Sequence, residues 1–417
     1  MKFIHTADIH LDSPLHRLEA YEGAPVDEIR QASRRAFENL IDLAVDEAVD
    51  FVLIAGDLFD GDWKDYHTGL YFIRQILRLD AADIQAFIVS GNHDAAGRMT
   101  RSLPYPPNVR LFSERKPETH RVDDLKVAVH GQSFARGAET DNLARAYPAP
   151  VAGYFNIGLL HTSLTGRPGH EPYAPCALAD LTHKGYDYWA LGHVHQFEIA
   201  APDPPIVFPG CIQGRHIKES GAKGCVLVSV TEGARPDIVR HAIDVVRWEP
   251  VAVDLAGAAN GDELLERCRA ALETVLERHD PRPVVARVAF SGQTTLHARL
   301  AADPALLKET VRATAMTHFG DRVWIETVKV RTAPVRRAAA DPGPLGELNA
   351  LVSALLADDA ELLALGEGLA SLFQRLPPDF RQGEAGLRPD DPAQLRELVA
   401  QAHALLVQRL HTEAEAP

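Results

Sequence analysis

Five short clusters carry residue types that bind metals: Asp8-x-His10, Gly56-Asp57, Gly91-Asn92-His93-Asp94, His161 and Gly192-His193-Val194-His195. Each follows an apolar run that reads as a β-strand, so each falls at a strand's C-terminal end, where open α/β sheets place their sites. A single histidine in such a place reads as a hydrogen-bonded imidazole; five ligand-type clusters in succession do not. Imidazoles, carboxylates and one amide oxygen form a mixed nitrogen and oxygen set, which suits Mn²⁺, Fe²⁺ or Zn²⁺ better than the all-oxygen sites of Mg²⁺ or Ca²⁺. In Asp8-x-His10 and His193-x-His195 the spacing is i, i+2. On extended backbone both side chains of each pair then project to one side and can converge on one ion. Glycines ahead of Asp57, Asn92 and His193 let the chain turn off its strand and approach the site closely. A lone carboxylate between two such groups can bridge two cations about 3.5–4 Å apart, the spacing that clamps the attacking and leaving oxygens of a phosphoryl displacement. Asp57 is the expected bridge.

Strands are predicted at Lys2–Ala7, Phe51–Ala55 and Gln85–Ser90, with helices over Glu28–Val49 and Tyr66–Leu79 between them. This βαβαβ opening makes at least part of the sheet parallel. After Arg101 the helices thin out. Predicted strands at Val109–Phe112, Lys126–His130, Asn156–His161, Asp187–Leu191, Pro205–Phe208 and Gly224–Val230 suit a second sheet packed on the first, with helices over the outer faces. Near residue 250 the composition shifts, and a strand–helix–strand–helix–strand unit runs to about residue 330. Residues 333–345 read as a linker. Beyond it, leucines from Leu345 to Leu356 and from Leu395 to Leu410 keep helical spacing on acidic helices.

The chain of 417 residues is long enough for about two or three domains, and 46% hydrophobic with 24% charged residues is ordinary globular composition. A formal net charge of −15 argues against a protein that coats nucleic acid by bulk charge. Its distribution says more: residues 1–100 carry 9 basic and 18 acidic side chains, residues 101–337 carry 29 and 27, and residues 338–417 carry 5 and 13. The acidity sits at the two ends, some of it in Asp8 and Asp57, which cations would neutralise. Cys176, Cys211, Cys225 and Cys268 form no C-x-x-C pair and are too sparse for a disulfide framework, so a reducing compartment, the cytoplasm, is expected. His5, Asp8 and His10 interrupt what a signal peptide would need to be apolar, and no run is long enough to span a bilayer, so no membrane association is expected.

The order D-x-H, G-D, G-N-H-D, H, G-H-x-H resembles that of the calcineurin-like metallophosphoesterases. More narrowly, the chain resembles the SbcD-type DNA repair exonucleases of the YhaO-like branch, whose opening is matched almost residue for residue by His5-Thr6-Ala7-Asp8-Ile9-His10-Leu11-Asp12-Ser13-Pro14-Leu15. The motifs span residues 5–195. The likeness continues more weakly through the unit near 250–335, including Leu296-His297-Ala298-Arg299-Leu300, and thins after about residue 340. It implies a four-layer αββα metallophosphoesterase sandwich over residues 1–248, an α+β capping domain over 249–335, and a linker with a helical C-terminal segment over 336–417. It also implies two divalent cations, with Mn²⁺ the leading expectation and Fe²⁺ or Zn²⁺ the alternatives. Asp8, His10, Asp57 and His195 would hold one, and Asp57, Asn92, His161 and His193 the other. His93 would be the non-ligand catalytic residue that steadies the transition state and protonates the leaving oxygen, with Asp94 orienting His93 or a ligand histidine.

Spacing alone does not choose between His161 and His130, because both end predicted strands. The family order selects His161 and leaves His130 beside a structural Gly131-Gln132-Ser133-Phe134 turn. His5, His183 and His216 are expected to pack or hydrogen-bond. Two departures matter. Many relatives place a second histidine three residues after the bridging aspartate, where this chain has Asp60; and Gly61-Asp62-Trp63 lacks the arginine that phosphoprotein phosphatases carry there, which weakens a phosphomonoester reading. Among Arg215, Lys218 and Lys223, near the family's Pro-Gly-Ser loop, one is a candidate for substrate backbone; Arg331, Arg336 and Arg337 are weighed equally as a solvated linker or a DNA contact. The expected function is exonucleolytic hydrolysis of DNA by a dimetal-activated water in DNA repair. The C-terminal helices either dock on an SMC-like ATPase or pack on their own chain, and a homodimer follows by analogy. The alternatives are a dimetal phosphodiesterase acting on a small molecule or nucleotide, and a non-catalytic scaffold for an ATPase.

Overall fold

Phe51–Ala55 is apolar and buried at every position, which places it between two covering layers rather than on a half-solvated face. In the computed structural model, which describes residues 1–13, 31–60, 67–96, 103–165, 172–335, 344–375 and 388–414, this strand lies inside the first of two units. The first unit comprises Met1–Glu249 with Leu276–Ala286, and the second Pro250–Val275 with Arg287–Pro417. Pro14, Leu15, the segment 61–66, Arg336 and Arg337, all named above, lie outside the described residues.

The strands of the first unit are β1 (Lys2–Thr6), β2 (Phe51–Ala55), β3 (Gln85–Val89), β4 (Val109–Leu111), β5 (Glu118–Val122), β6 (Val127–Gly131), β7 (Phe155–His161), β8 (Tyr188–Gly192), β9 (Glu198–Pro202), β10 (Pro205–Phe208), β11 (Gly224–Ser229) and β12 (Asp237–Ala242). They form two sheets, ordered β12-β11-β1-β2-β3-β4 and β5-β6-β7-β8-β10-β9. From β1 to β4 the first sheet is parallel, and β11 adds antiparallel beside β1. In the second sheet β6, β7, β8 and β10 are parallel, with antiparallel β5 and β9 at its edges.

Side-chain alternation sorts the layers. Phe3, Phe51, Leu53 and Phe87 of the first sheet meet Val127, Ile157, Leu159, Tyr188 and Val207 of the second in one buried cluster. On the other face, Ile4, Val52, Ile54 and Ile88 pack against helix Ala32–Asp46, whose buried Ala36, Phe37, Leu40, Ile41 and Ala44 keep helical spacing, and against Phe72, Ile76 and Leu79 of helix His67–Ala81. The outer face of the second sheet is covered more thinly, by the short helix Leu178–Thr182, the single turn Leu143–Ala146, and Tyr147 and Tyr186 packed over Trp189 and Phe208. The α/β sandwich of two mixed sheets flanked by helices is therefore the observed architecture.

Two strands sit differently from the sequence expectation, since Val109–Leu111 and Gly224–Ser229 join the first sheet. Both are β-rich runs without a side preference in the sequence: Cys225 and Leu227 face the helices while Val226 and Val228 face the other sheet. Strands β5, β9 and β12 escape sequence reading because each is a largely exposed edge strand with no long apolar run.

A separate three-stranded sheet is formed by β13 (Arg247–Asp254), β14 (Val284–Gln293) and β15 (Val323–Ala333), of which β15 lies wholly in the second unit, and helix Pro304–Phe319 packs along β15. The C-terminal helix Pro392–Ala414 packs on its own chain, against helices His297–Ala302, Pro344–Ala357 and Asp359–Gly368.

A buried imidazole ties the two sheets of the first unit together. Tyr188 Oη donates to His5 Nδ1 at 3.0 Å, and His5 Nε2 donates to the Leu191 carbonyl at 3.1 Å. Burial pushes the His5 pKa down to about 3, so the ring is neutral in the fold and titrates near 6.5 once unfolded. The unfolded chain then binds the extra proton, and stability is lost as pH falls from about 6.5 toward 3. Thermal unfolding of His5→Gln against the wild type from pH 7.5 to 4 should show a shallower acid decline in the variant; parallel curves would remove His5 from the account.

Candidate metal centre

All five clusters arrive at the same end of the sandwich, because β1, β2 and β3 are parallel in one sheet and β7 and β8 are parallel in the other. The chain leaves β1 and β2 side by side, with Asp8 N–H donating to the Gly56 carbonyl and His10 N–H to the Asp57 carbonyl, each at 3.0 Å. Asp8, His10, Asp57 and His193 have φ of 50°, 45°, 51° and 101°, a region non-glycine residues rarely occupy. The i, i+2 pairs are thus not on extended backbone. Asp8 and His10 converge through left-handed turns, while His193 and His195 diverge: the His195 ring joins Asp8 and His10, and the His193 ring lies 5.2 Å from that of His161.

Close approach demands glycine at two points. A Cβ on Gly56, itself at φ 92°, would lie 2.3 Å from His161 Nδ1, and one on Gly192 would lie 1.9 Å from the Ala55 carbonyl oxygen.

Two donor sets meet here: they have Asp8 in common, and the Asp57 carboxylate lies between their histidines. In the first, Asp8, His10 and His195 place one ligand atom each within 4.8 Å of the others; in the second, Asp8, Asp57 and His161 do the same. Asp57 Oδ2 lies 3.8 Å from His10 Nε2 and 3.5 Å from His161 Nε2, while Oδ1 accepts the His93 backbone N–H at 2.9 Å. The Asn92 amide oxygen is 3.1 Å from His161 Nε2. His161 Nδ1 donates to the Ala55 carbonyl at 2.8 Å, which fixes the tautomer and leaves Nε2 as the ligand atom. His130, the rival candidate, is committed elsewhere: Thr119 Oγ1 and Asn156 Oδ1 contact its two nitrogens at 2.8 and 3.0 Å, and its ring stacks on Tyr186.

These residues fit cations. Asp8 and Asp57 are fully buried together; burial, then the Asp57 charge, pushes the Asp8 carboxyl well above its ordinary range. His10 and His195 turn Nε2 atoms toward each other at 3.3 Å; burial lowers the His10 pKa to about 3, so its ring is neutral, and Glu219 opposite His195 Nδ1 leaves Nε2 of that ring facing the carboxylates. Buried like charges and facing lone pairs are costly alone and are relieved by a cation between them. The donors are nitrogen and oxygen, as the sequence implied. Cys211, also buried, lies with His195 and Glu219 on the far side of the His195 ring.

Asp94 is placed differently from expectation. Its carboxylate accepts from the backbone N–H groups of Leu58 (3.1 Å), Phe59 (2.9 Å) and Gly91 (3.0 Å), bracing the β2 and β3 exits rather than orienting an imidazole. The carboxylate that orients His93 is Asp60, whose Oδ1 lies 2.6 Å from His93 Nδ1 and 3.6 Å from His10 Nδ1. Burial opposes the Asp60 charge, yet the neighbouring imidazoles of His10 and His93 outweigh it and hold its carboxyl well below the usual range. The same bond raises the pKa of His93, whose side chain is 41% exposed at the mouth of the site.

Of the three basic candidates, Arg215 reaches the site and Lys223 lies behind it with Nζ donating to the His195 carbonyl at 3.2 Å; Lys218 is exposed. Sequence reasoning missed Glu219, which accepts from His195 Nδ1 at 2.5 Å. No motif marks it, since it stands alone 24 residues beyond its partner.

Cation uptake by this set displaces protons, so it weakens with acid. Mn²⁺ should raise the thermal unfolding midpoint at pH 7.5, less at pH 5.5, and not in Asp57→Asn. An Asp57→Asn protein stabilised as strongly as the wild type would break the shared-carboxylate geometry.

Comparison with known proteins identifies the family. Residues 1–197 match the family model of the calcineurin-like phosphoesterases, and residues 248–333 match the middle domain of metallophosphoesterase YhaO. A Bacillus subtilis protein described as uncharacterized metallophosphoesterase YhaO is 36% identical over 296 residues, 70% of this chain and 72% of that protein. The DNA double-strand break repair protein Mre11 of Methanopyrus kandleri is 28% identical over 297 residues, 64% of this chain and 62%, under two thirds, of its own length. Among solved structures, a dimetal phosphatase from Danio rerio is 10% identical, with 58% of this chain and 98% of that one covered at a TM-score of 0.36. With its clustered ligand residues and its matches to both models, the chain belongs to the calcineurin-like metallophosphoesterases, among those that carry a YhaO-type middle domain.

Proposed function

We propose that this metallophosphoesterase is a metal-dependent DNA exonuclease, holding two divalent cations, with Mn²⁺ first among candidates, and acting in DNA repair with an SMC-like ATPase. The observation that carries the reading is the joining, at one mouth, of two donor sets that have Asp8 in common and Asp57 between their histidines with a half-exposed His93 that has its own carboxylate. Relatives named for DNA double-strand break repair support DNA as the substrate class. The segment Gly61-Asp62-Trp63, without arginine, favours a diester over a monoester. Leu351, Leu372, Leu405 and Leu406 stay exposed on the C-terminal helices, where a partner would cover them.

Asp8, His10, Asp57 and His195 would hold one cation, and Asp57, Asn92, His161 and His193 the other. Bound there, the cations supply Lewis-acid stabilisation of charge on the phosphoryl oxygens and a nucleophile at neutral pH. The chain's own part in the chemistry falls to His93. Its Nδ1 proton is held by Asp60, so Nε2 is the atom that gives a proton to the leaving oxygen. Asp60 keeps the imidazolium available at neutral pH by stabilising its charge. In this chain the carboxylate at position 60 both orients His93 and stabilises its charge.

Purified protein with Mn²⁺ should degrade linear single- or double-stranded DNA, EDTA should abolish this, and His93→Ala should lose about 10²–10⁴-fold in rate with Mn²⁺ uptake retained. Hydrolysis of a small diester but never of DNA would replace the nuclease reading with a small-molecule phosphodiesterase. No hydrolysis of either, with or without the ATPase, would favour a scaffold. Because the acid form of His93 is the active one, Asp60→Asn should move the alkaline limb of the pH–rate profile to lower pH; an unmoved limb would detach Asp60 from proton transfer.

A further inference from the structure

One segment, Pro209 to Lys223, grips His195 at both ends. The His195 carbonyl accepts from Lys223 Nζ at 3.2 Å and from the Cys211 N–H at 3.4 Å, while the ring's Nδ1 meets Glu219 Oε1 at 2.5 Å. A carboxylate opposite Nδ1 makes that nitrogen the donor, so Nε2 faces Asp8 and His10 as a lone pair. Glu219 is buried at 5% exposure on the single turn Ile217–Glu219 and is itself restrained. Its Oε2 accepts the Arg215 backbone N–H at 2.7 Å, and Arg215 Nη2 lies 3.3 Å from Oε1. The other arm of the guanidinium, Nη1, donates to Ser13 Oγ at 3.3 Å and lies 3.7 Å from Asp60 Oδ2. Arg215 therefore spans the two carboxylates that orient His195 and His93.

We infer that Glu219 and Arg215 are positioning residues for the cation held by His195: Glu219 fixes the ring's tautomer and direction, and Arg215 fixes Glu219 while joining it to the Asp60 side of the site. The inference rests on the metal-centre reading above and does not depend on DNA being the substrate. A carboxylate behind a ligand imidazole raises the basicity of the ligand nitrogen and removes its freedom to turn, and loss of such a partner weakens metal affinity about 10–100-fold. Replacing Arg215 by Lys keeps the charge but not the fork that reaches Glu219 and Ser13 together.

The test is calorimetric titration of the full chain with Mn²⁺, comparing wild type, Glu219→Gln, Arg215→Ala and Arg215→Lys, with metal-free thermal unfolding to verify folding. Wild type should bind two ions. Glu219→Gln should weaken one of them about 10–100-fold and leave the other unchanged, Arg215→Ala should act in the same direction, and Arg215→Lys should fall between. If Glu219→Gln does not fold, Arg215→Lys decides. Wild-type isotherms in the variants would overturn the inference, as would an Arg215→Ala protein whose anisotropy-measured affinity for labelled DNA in EDTA falls while its Mn²⁺ isotherm is unchanged, the mark of a substrate contact. A wild type that takes up no ion would sink the metal centre and this inference with it.

Discussion

The first unit is organised around two carboxylates, Asp8 and Asp57, buried side by side where two sheets end. Like charges in such a place are tolerated only if cations compensate them, so the surroundings must supply both the ligands and the exclusion of water that makes them effective. The rest of the site answers that requirement. His10, His161 and His195 turn a ring nitrogen toward the carboxylates, and the other nitrogen of His161 and His195 is tied off by the Ala55 carbonyl and Glu219. The positive φ values at Asp8, His10, Asp57 and His193 are local costs that the paired strand exits and the packed sheets hold in place.

This arrangement separates holding from reacting. The ligand carboxylates and most of the imidazoles are buried, whereas His93 stands half-exposed at the mouth with Asp60 behind it. Arg215 lies between Asp60 and Glu219, so the cation side and the proton side of the site share one guanidinium. The −15 net charge says little about this site: its acidic excess lies in residues 1–100, only part of it in Asp8 and Asp57, and in residues 338–417.

Much of the fold was legible because burial leaves a strong mark. Strands β2, β3, β7 and β8 are continuous apolar runs, and the helix Ala32–Asp46 keeps its 3.6-residue period. Edge strands β5, β9 and β12 left no such mark, since half of each faces water. Whether Gly224–Ser229 belongs to one sheet or the other was equally silent, because a strand buried on both faces carries the same pattern in either place.

For the site, residue types and their order after successive strands determined by themselves that a metal-ligand set exists and which side chains are candidates for it. The family order already favoured His161 over His130, and the structure ties His130 up elsewhere; tertiary structure alone made Asp94 a backbone brace and brought in Asp60 and Glu219 as imidazole partners. The reason is physical. Ligand identity is a local property written in single residues, whereas the nitrogen that faces the ion depends on what the opposite nitrogen meets. That partner comes from segments far away in the chain, 106 residues away for His161.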